Sequence, residues 1–296
     1  MKRVAIYENT DKDEAIKYAC QAAEILVNLG VECIVRPSLA PFLPPHIEGS
    51  VKTSDVCDFD KIADMVISFG GDGTLLTASR EMLMCDVPIM GFNVGKLGFL
   101  AEYSVHKLEE NISQVVNGNF RLVDRAVIET TFRDTKHYAL NDFVIEKRNT
   151  SRMITVTVYS NEHCVGEYRA DGLVLTTPTG STAYSLSCSG PIIAPSAKVL
   201  CITPISPHTL TLRPLVIPDS NEVTFQLSDS GGGVILVADG ITIGEMDTDE
   251  KIKFVLSKER VKLIKPQDSS YYDILRTKLL WASNSFDNES KLRSNQ

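Results

Sequence analysis

What the sequence lacks narrows the reading first. No apolar run approaches the ~20 residues that a membrane-spanning helix needs. No membrane partner is therefore expected. Positive charge is in deficit, 30 Lys and Arg against 38 Asp and Glu, for a net charge of −8. That argues against general affinity for nucleic acid, which relies on Lys and Arg neutralising phosphates. A bound phosphate must instead be held by backbone dipoles, a few arginines or a metal ion. The seven cysteines contain no CxxC pair, and no two histidines have zinc-ligand spacing. An odd, scattered set fits reduced thiols in a cytoplasmic protein, packed as small hydrophobes. Two nucleotide fingerprints are also missing. No G-x-G-x-x-G follows a strand, and Gly95-Lys96 does not have the spacing of a Walker loop. No internal repeat has a solenoid or propeller period.

What is present is a chain of 296 residues, 43% hydrophobic and 23% charged, which is ordinary for a water-exposed globular protein of two domains. Met1 to Glu8 reads as a first strand and not as a signal peptide. Asp11 to Leu29 is helical by pattern, with Ile16, Ala19, Ala23 and Leu26 on one face and Gly30 at the C′ position. Val31 to Val35 is a second strand. Pro37 to Asp60 carries four prolines and reads as a long irregular loop or a lid. Its Asp55, Asp58 and Asp60 suit either a metal or a solvated surface.

The organising stretch is Ile62 to Arg80. Met65 to Phe69 is a short apolar run, a buried strand. Gly70-Gly71-Asp72-Gly73 follows, then Thr74 as a plausible N-cap and a helix through Leu83. Glycines let backbone N–H groups approach a phosphate closely. Asp72 in the middle of such a turn takes a proton from a nearby hydroxyl, helps hold a divalent cation, or merely caps the helix. Pro88 to Asn93 is another strand, leading into the glycine-rich loop Gly91 to Leu100. His106 to Asn117 is a short helix closed by Gly118. Alternating strands and helices imply a doubly wound, Rossmann-like α/β domain over residues 1–100.

The texture then changes to short β-branched runs with polar turns, an all-β domain over 101–269. They include Val127–Phe132, His137–Glu146, Met153–Tyr159, Leu173–Thr177, Val199–Pro204, Glu222–Leu227, Val234–Ala238 and Lys251–Leu256. Tyr271 to Trp281 reads as a helix returning to the first domain. Residues 283–296 are polar and expected to be disordered. Within the β domain, Leu140-Asn141-Asp142 sets an amide beside a carboxylate, which suits ribose hydroxyls or a mere bulge. Arg169 to Ser187 is dense in small hydroxyl residues around Gly180. Their hydroxyls and amides suit phosphate or adenine edges, and Tyr184 offers a stacking face. Ala238-Asp239-Gly240 is a common turn signal.

Taken together, these segments resemble the bacterial NAD kinases. They are Gly70–Thr74, Asn93-x-Gly95-x-Leu97-Gly98-Phe99-Leu100, Leu140–Asp142, Asp171–Leu173, Thr177–Ser187, Ser206–Leu210 and Arg213–Ile217. The GGDGT turn alone also occurs in lipid kinases, and a dinucleotide-binding regulator without catalysis is a further alternative. The resemblance implies that ATP, or polyphosphate, phosphorylates the 2′-hydroxyl of the adenosine ribose of NAD to give NADP. Such an enzyme controls the balance between the two dinucleotides. It also implies an α/β domain joined to a β-sandwich-like, NAD-binding domain, with residues 270–282 returning to the first. A divalent metal cation such as Mg2+ and a homodimer or homotetramer are expected as well. By the same resemblance Asp72 is the proton acceptor, with Gly73 beside the ligand. Asn141 and Asp142 hold ribose hydroxyls, Arg152 is a variable ligand contact, and Arg169 and Asp171 flank the dinucleotide. Thr182, Ala183, Tyr184, Ser185, Leu186 and Ser187 line the adenosine. Asp142 stands where many relatives have Glu, and Ile241 where bacterial relatives often have Gln, so a side-chain hydrogen bond at 241 is not expected.

Overall fold

The computed structural model describes residues 1–95, 98–148 and 152–280. Lys96 and Leu97 of the second glycine loop, Trp281 and the tail 283–296 lie outside the described residues. The chain divides into two compact units. One is Met1–Val123 together with the chain from Lys262, and the other is Asp124–Val261.

The first unit is built on a parallel sheet. Its elements are β1 (Arg3–Glu8), α1 (Asp13–Asn28), β2 (Glu32–Val35), β3 (Val51–Thr53), α2 (Phe59–Ile62), β4 (Met65–Gly70), α3 (Asp72–Glu81), β5 (Ile89–Asn93), β6 (Tyr103–Ser104) and α4 (Leu108–Val116). The strand order is β5-β4-β1-β2-β3, all parallel. Central strands buried on both faces read as near-continuous apolar runs, and β4 is buried along its whole length. Helix α1 turns Ala15, Ala19, Ala22, Ala23 and Leu26 inward, and the four alanines let it lie close on Val4 and Ile6. Gly30 ends it at φ +70°, a left-handed conformation that favours glycine. Phe69 and Phe92 stack across β4 and β5 with ring centroids 5.1 Å apart.

Two expectations need correcting here. Pro37 to Asp60 is not irregular throughout: Val51–Thr53 pairs with Cys33–Val35 as a parallel edge strand. Its register comes from a distant partner, so no local pattern shows it. The unit also runs past residue 100 to Val123, because α4 buries Leu108, Ile112 and Val115 in its core.

Among the described residues the second unit is all β apart from two short helical turns, Thr179–Thr182 and Tyr184–Ser187. It contains most of β7 (Arg121–Phe132), then β8 (Thr135–Ala139), β9 (Asp142–Lys147), β10 (Ile154–Ser160), β11 (His163–Ala170), β12 (Gly172–Thr176), α5 (Tyr184–Ser187), β13 (Val199–Ile205), β14 (Leu215–Pro218), β15 (Val223–Asp229), β16 (Val234–Ala238), β17 (Ile241–Met246) and most of β18 (Lys251–Lys265). One antiparallel sheet has the order β14-β13-β12-β9-β16-β17. Strands β11, β10, β15 and β18 pair antiparallel in a second, with β7 and β8 beside them. Inward-facing residues of both sheets fill one core around Phe143, Phe225 and Phe254. The run His137–Glu146 is two strands, not one, interrupted at Leu140-Asn141. The end of β18 belongs to the first unit, where Leu263 and Ile264 pair in parallel with Ile89 and Met90 of β5. Helix α6 (Tyr271–Leu279) belongs there too, burying Ile274 and Leu275.

Candidate active site

In the first unit the chemistry gathers at the carboxyl ends of the strands. The sheet order reverses between β1 and β4, and α/β sheets bind ligands at such a switch point. There a polar pocket of about 250 Å³ is lined by residues following β1, Asn9, Thr10 and Asp11, and by Gly73, Thr74 and Thr77 of α3. Tyr7, Glu8 and Arg36 complete it. Glu8 is fully buried and accepts from Ser38 Oγ at 2.6 Å, while Arg36 Nη2 lies 2.9 Å from its Oε1. The Arg36 guanidinium also stacks on the Tyr7 ring at 4.0 Å. Burial, and then Glu81, push the Tyr7 phenol up to about 12, so it stays a neutral donor to Glu81.

Gly71, and not Thr74, is the N-cap of α3, and no side chain caps it. Thr74 packs back on the end of β4 instead. A Cβ on Gly70 would lie 2.1 Å from its Oγ1, so only glycine lets the helix start so close to the strand. Thr74 Oγ1 accepts from Asn9 Nδ2 at 3.1 Å. Gly73 has open space where a Cβ would go.

Asp72 opens the helix half-buried, and its carboxylate clasps the second glycine loop. Oδ2 accepts the Phe99 amide at 2.7 Å, and Oδ1 accepts those of Leu100 and Ala101, each at 3.0 Å. A carboxylate offers about four lone-pair sites, so this clasp leaves one on Oδ2.

The second unit repeats the device. The Asp239 carboxylate accepts three successive amides: Leu140 at 2.8 Å, Asn141 at 2.8 Å and Asp142 at 3.1 Å. These amides would otherwise continue the ladder, which is why the strand breaks there. The carbonyls of the same segment are held from the other side. Thr177 Oγ1 donates to Leu140 O at 2.6 Å and Thr176 Oγ1 to Asn141 O at 2.9 Å. The segment is thus fixed by its backbone, and the Asn141 amide side chain has no hydrogen-bond partner among the described residues. Asp142 is 4% exposed. Burial, and then the charge of Asp239, push its carboxyl from 3.8 up to about 7. It lines a pocket of about 300 Å³ with Val144, Glu146, Tyr184, Val237, Gly240 and Thr242. Burial, then Glu146, raise the Tyr184 phenol.

The ATP-NAD kinase N-terminal domain matches residues 4–120, and the ATP-NAD kinase C-terminal domain matches residues 140–266. This chain belongs to the NAD kinase family. An NAD kinase of Bacteroides fragilis is 37% identical over 289 residues, 96% of this chain and 99% of the relative. An NAD kinase of Sulfurimonas denitrificans is 34% identical over 262 residues, 87% of this chain and 89% of its own. Two solved structures share the fold at 24% identity. One is yeast NADH kinase complexed with NADH, with a TM-score of 0.83 over 93% of this chain and 86% of that one. The other is an NAD kinase from Archaeoglobus fulgidus in complex with ATP, with a TM-score of 0.71 over 90% and 94%.

Against the NAD kinase expectations, the fold brings Asp142 and Tyr184 to one pocket and sets Asn141 beside Asp142 in the clasped segment. Asp72 and Gly73 share the first turn of α3. The remaining positions differ in character. Ser185 is buried, its hydroxyl bonded to Thr203 Oγ1 at 2.9 Å, so its side chain holds the turn together. Thr182 Oγ1 donates to Thr179 O at 3.3 Å. Ala183 and Leu186 are half-buried, and Ser187 is exposed. Asp171 is paired with Lys147 at 2.6 Å. Arg152 and Arg169 are exposed, and so is Ile241. Sequence reading gave Asp239 only as part of a common turn signal, and it missed the pocket residues Glu146 and Thr242, which carry no motif.

Proposed function

We propose that this chain is an NAD kinase that passes the γ-phosphoryl group of ATP to the 2′-hydroxyl of the adenosine ribose of NAD, giving NADP. The observation that carries the mechanism is the Asp72 clasp, which fixes a carboxylate by three amides and leaves one lone pair on Oδ2. In this reading Oδ2 takes the 2′-hydroxyl proton as that oxygen bonds to the γ-phosphorus. The bond from the γ-phosphorus to the β–γ bridging oxygen breaks, ADP leaves, and Asp72 later gives its proton to water. Phosphoryl transfer asks mainly for positioning and neutralised charge. The polar switch-point pocket beside Gly73 suits the donor's phosphates. Asn141 and Asp142 suit the ribose hydroxyls, as an amide without a hydrogen-bond partner among the described residues and a carboxyl poised to donate or accept.

A divalent cation belongs to the same reading. Among the described residues no three His, Cys, Asp or Glu side chains cluster to hold one. Magnesium usually takes one or two carboxylates plus phosphate oxygens and water. That donor set fits a cation carried in on ATP, which would neutralise the transferring charge. Homo-oligomer formation and a cytoplasmic location rest on family likeness. No helix among the described residues is long and apolar enough to cross a membrane.

The test is NADP formation from NAD with magnesium and either ATP or polyphosphate, followed by product mass. Asp72→Asn is expected to keep calorimetric NAD binding and to lose at least ~10²-fold in kcat. Near-normal turnover by that variant would remove Asp72 from the role. NAD binding without NADP formation under every donor and cation would favour a binding protein instead.

A further inference from the structure

Behind the Asp72 clasp lies a buried ion pair that the mechanism above does not use. Lys265 Nζ lies 2.6 Å from Glu102 Oε1, with the two side chains 3% and 8% exposed. The same ammonium donates to the Leu100 carbonyl at 2.6 Å. Leu100 is the middle residue of the clasp, and its amide binds Asp72 Oδ1 at 3.0 Å. One peptide segment is therefore held at its carbonyl by Lys265 while its N–H groups hold Asp72. Lys265 is the last residue of β18, and the two residues before it are paired to β5. The ammonium is mounted on the sheet, not on a loop.

As a stabilising device this pair is poor. Taking two charges out of water is costly, and the mutual attraction often only offsets it. Oε2 of Glu102 is buried with no hydrogen-bond partner among the described residues. Its placement points elsewhere, to the loop. At the other end of that loop stands Gly98. A Cβ there would lie 1.8 Å from Asp72 Oδ1 and 2.5 Å from its Cγ. Gly98 does not have a left-handed φ, so what matters is the missing side chain and not backbone freedom.

We propose that Gly98 and Lys265 are positioning residues for phosphoryl transfer: Gly98 leaves the space, and Lys265 the anchor, that aim the Asp72 carboxylate. This rests on the reading of Asp72 as proton acceptor. Clearance at one end and a fixed carbonyl at the other leave the carboxylate one place to sit. A displacement of about 1 Å at a reacting group costs on the order of 10²-fold in rate.

The test uses the full chain and separates aim from stability. Gly98→Ala is expected to fold, to keep KM for NAD and ATP within about twofold, and to lose about 10²-fold in kcat. Lys265→Met alone leaves Glu102 charged and buried, so it should also unfold at lower temperature. Lys265→Met with Glu102→Met removes both charges and should recover the unfolding temperature, while kcat stays low because the Leu100 anchor is still missing. In an Asp72→Asn background, Gly98→Ala should cost nothing further, since the group through which it acts is gone. Wild-type kcat in the stable double variant would overturn the anchor. An equal loss from Gly98→Ala with and without Asp72 would overturn the aiming role while leaving Asp72 as acceptor. Near-normal turnover by Asp72→Asn alone would overturn both.

Discussion

Asp239 and Asp142 hold each other by two hydrogen bonds, one to a side chain and one to the backbone. The Asp142 amide donates to Asp239 Oδ1 at 3.1 Å, and the Asp239 amide donates to the Asp142 carbonyl at 3.0 Å. This reciprocal contact keeps a second carboxylate close to a buried one. Like charges so placed disfavour each other's ionisation, which adds to the cost of burial at Asp142.

A pH dependence follows. The Asp142 carboxyl is raised from 3.8 to about 7, so between those values the folded protein keeps a proton that the unfolded chain has released. Stability therefore falls as pH rises through that window, and the contribution is gone above the upper value. Asp142→Asn has no such proton to lose. The difference in unfolding free energy, variant minus wild type, should grow from about pH 4 to about pH 7 and then level off. Urea unfolding at a series of pH values measures it. A flat difference would mean that Asp142 ionises normally.

Gly180 is another close approach that a methyl would spoil. Its missing Cβ would lie 2.2 Å from the Asn141 carbonyl oxygen and 2.5 Å from Thr176 Oγ1. Backbone, not a flexible side chain, must give way. Gly180→Ala should cost about 1–3 kcal/mol in stability, as overpacking does, and should weaken NAD binding by shifting Asn141. The urea midpoint and calorimetric affinity would both move. An unchanged affinity would separate Asn141 from the ligand.

Arg36 is the cation that compensates Glu8, whose side chain is fully buried. Arg36→Met strands that carboxylate and should cost about 3–5 kcal/mol. Arg36→Met with Glu8→Gln should recover most of it, because no charge is then left without a counterion. Thermal unfolding of the two variants and the wild type decides the point.

Much of the architecture was readable in local pattern. The apolar run Met65–Phe69, the glycine turn and the helix after it are where expected, and so is Gly30 past the end of α1. Helix starts, turns and alternation depend on residues within a turn or two of each other. Edge strand β3 was not readable, because Val51–Thr53 is a strand only by pairing with Cys33–Val35. Nor was the break at Leu140-Asn141, where an apolar run is cut by a carboxylate from elsewhere.

The same division holds at the candidate site. Residue order alone was enough to place Asp72 in a glycine turn, to set Asn141 beside Asp142 and to carry the likeness to NAD kinases. It could not show what Asp72 touches, since its three amides lie 27 to 29 residues along the chain. Asp239 reaches back 97 to 99 residues, and Lys265 reaches 165. Contacts over such separations form when the packed sheet brings distant strand ends together. The spacing of motifs along the chain carries no record of them.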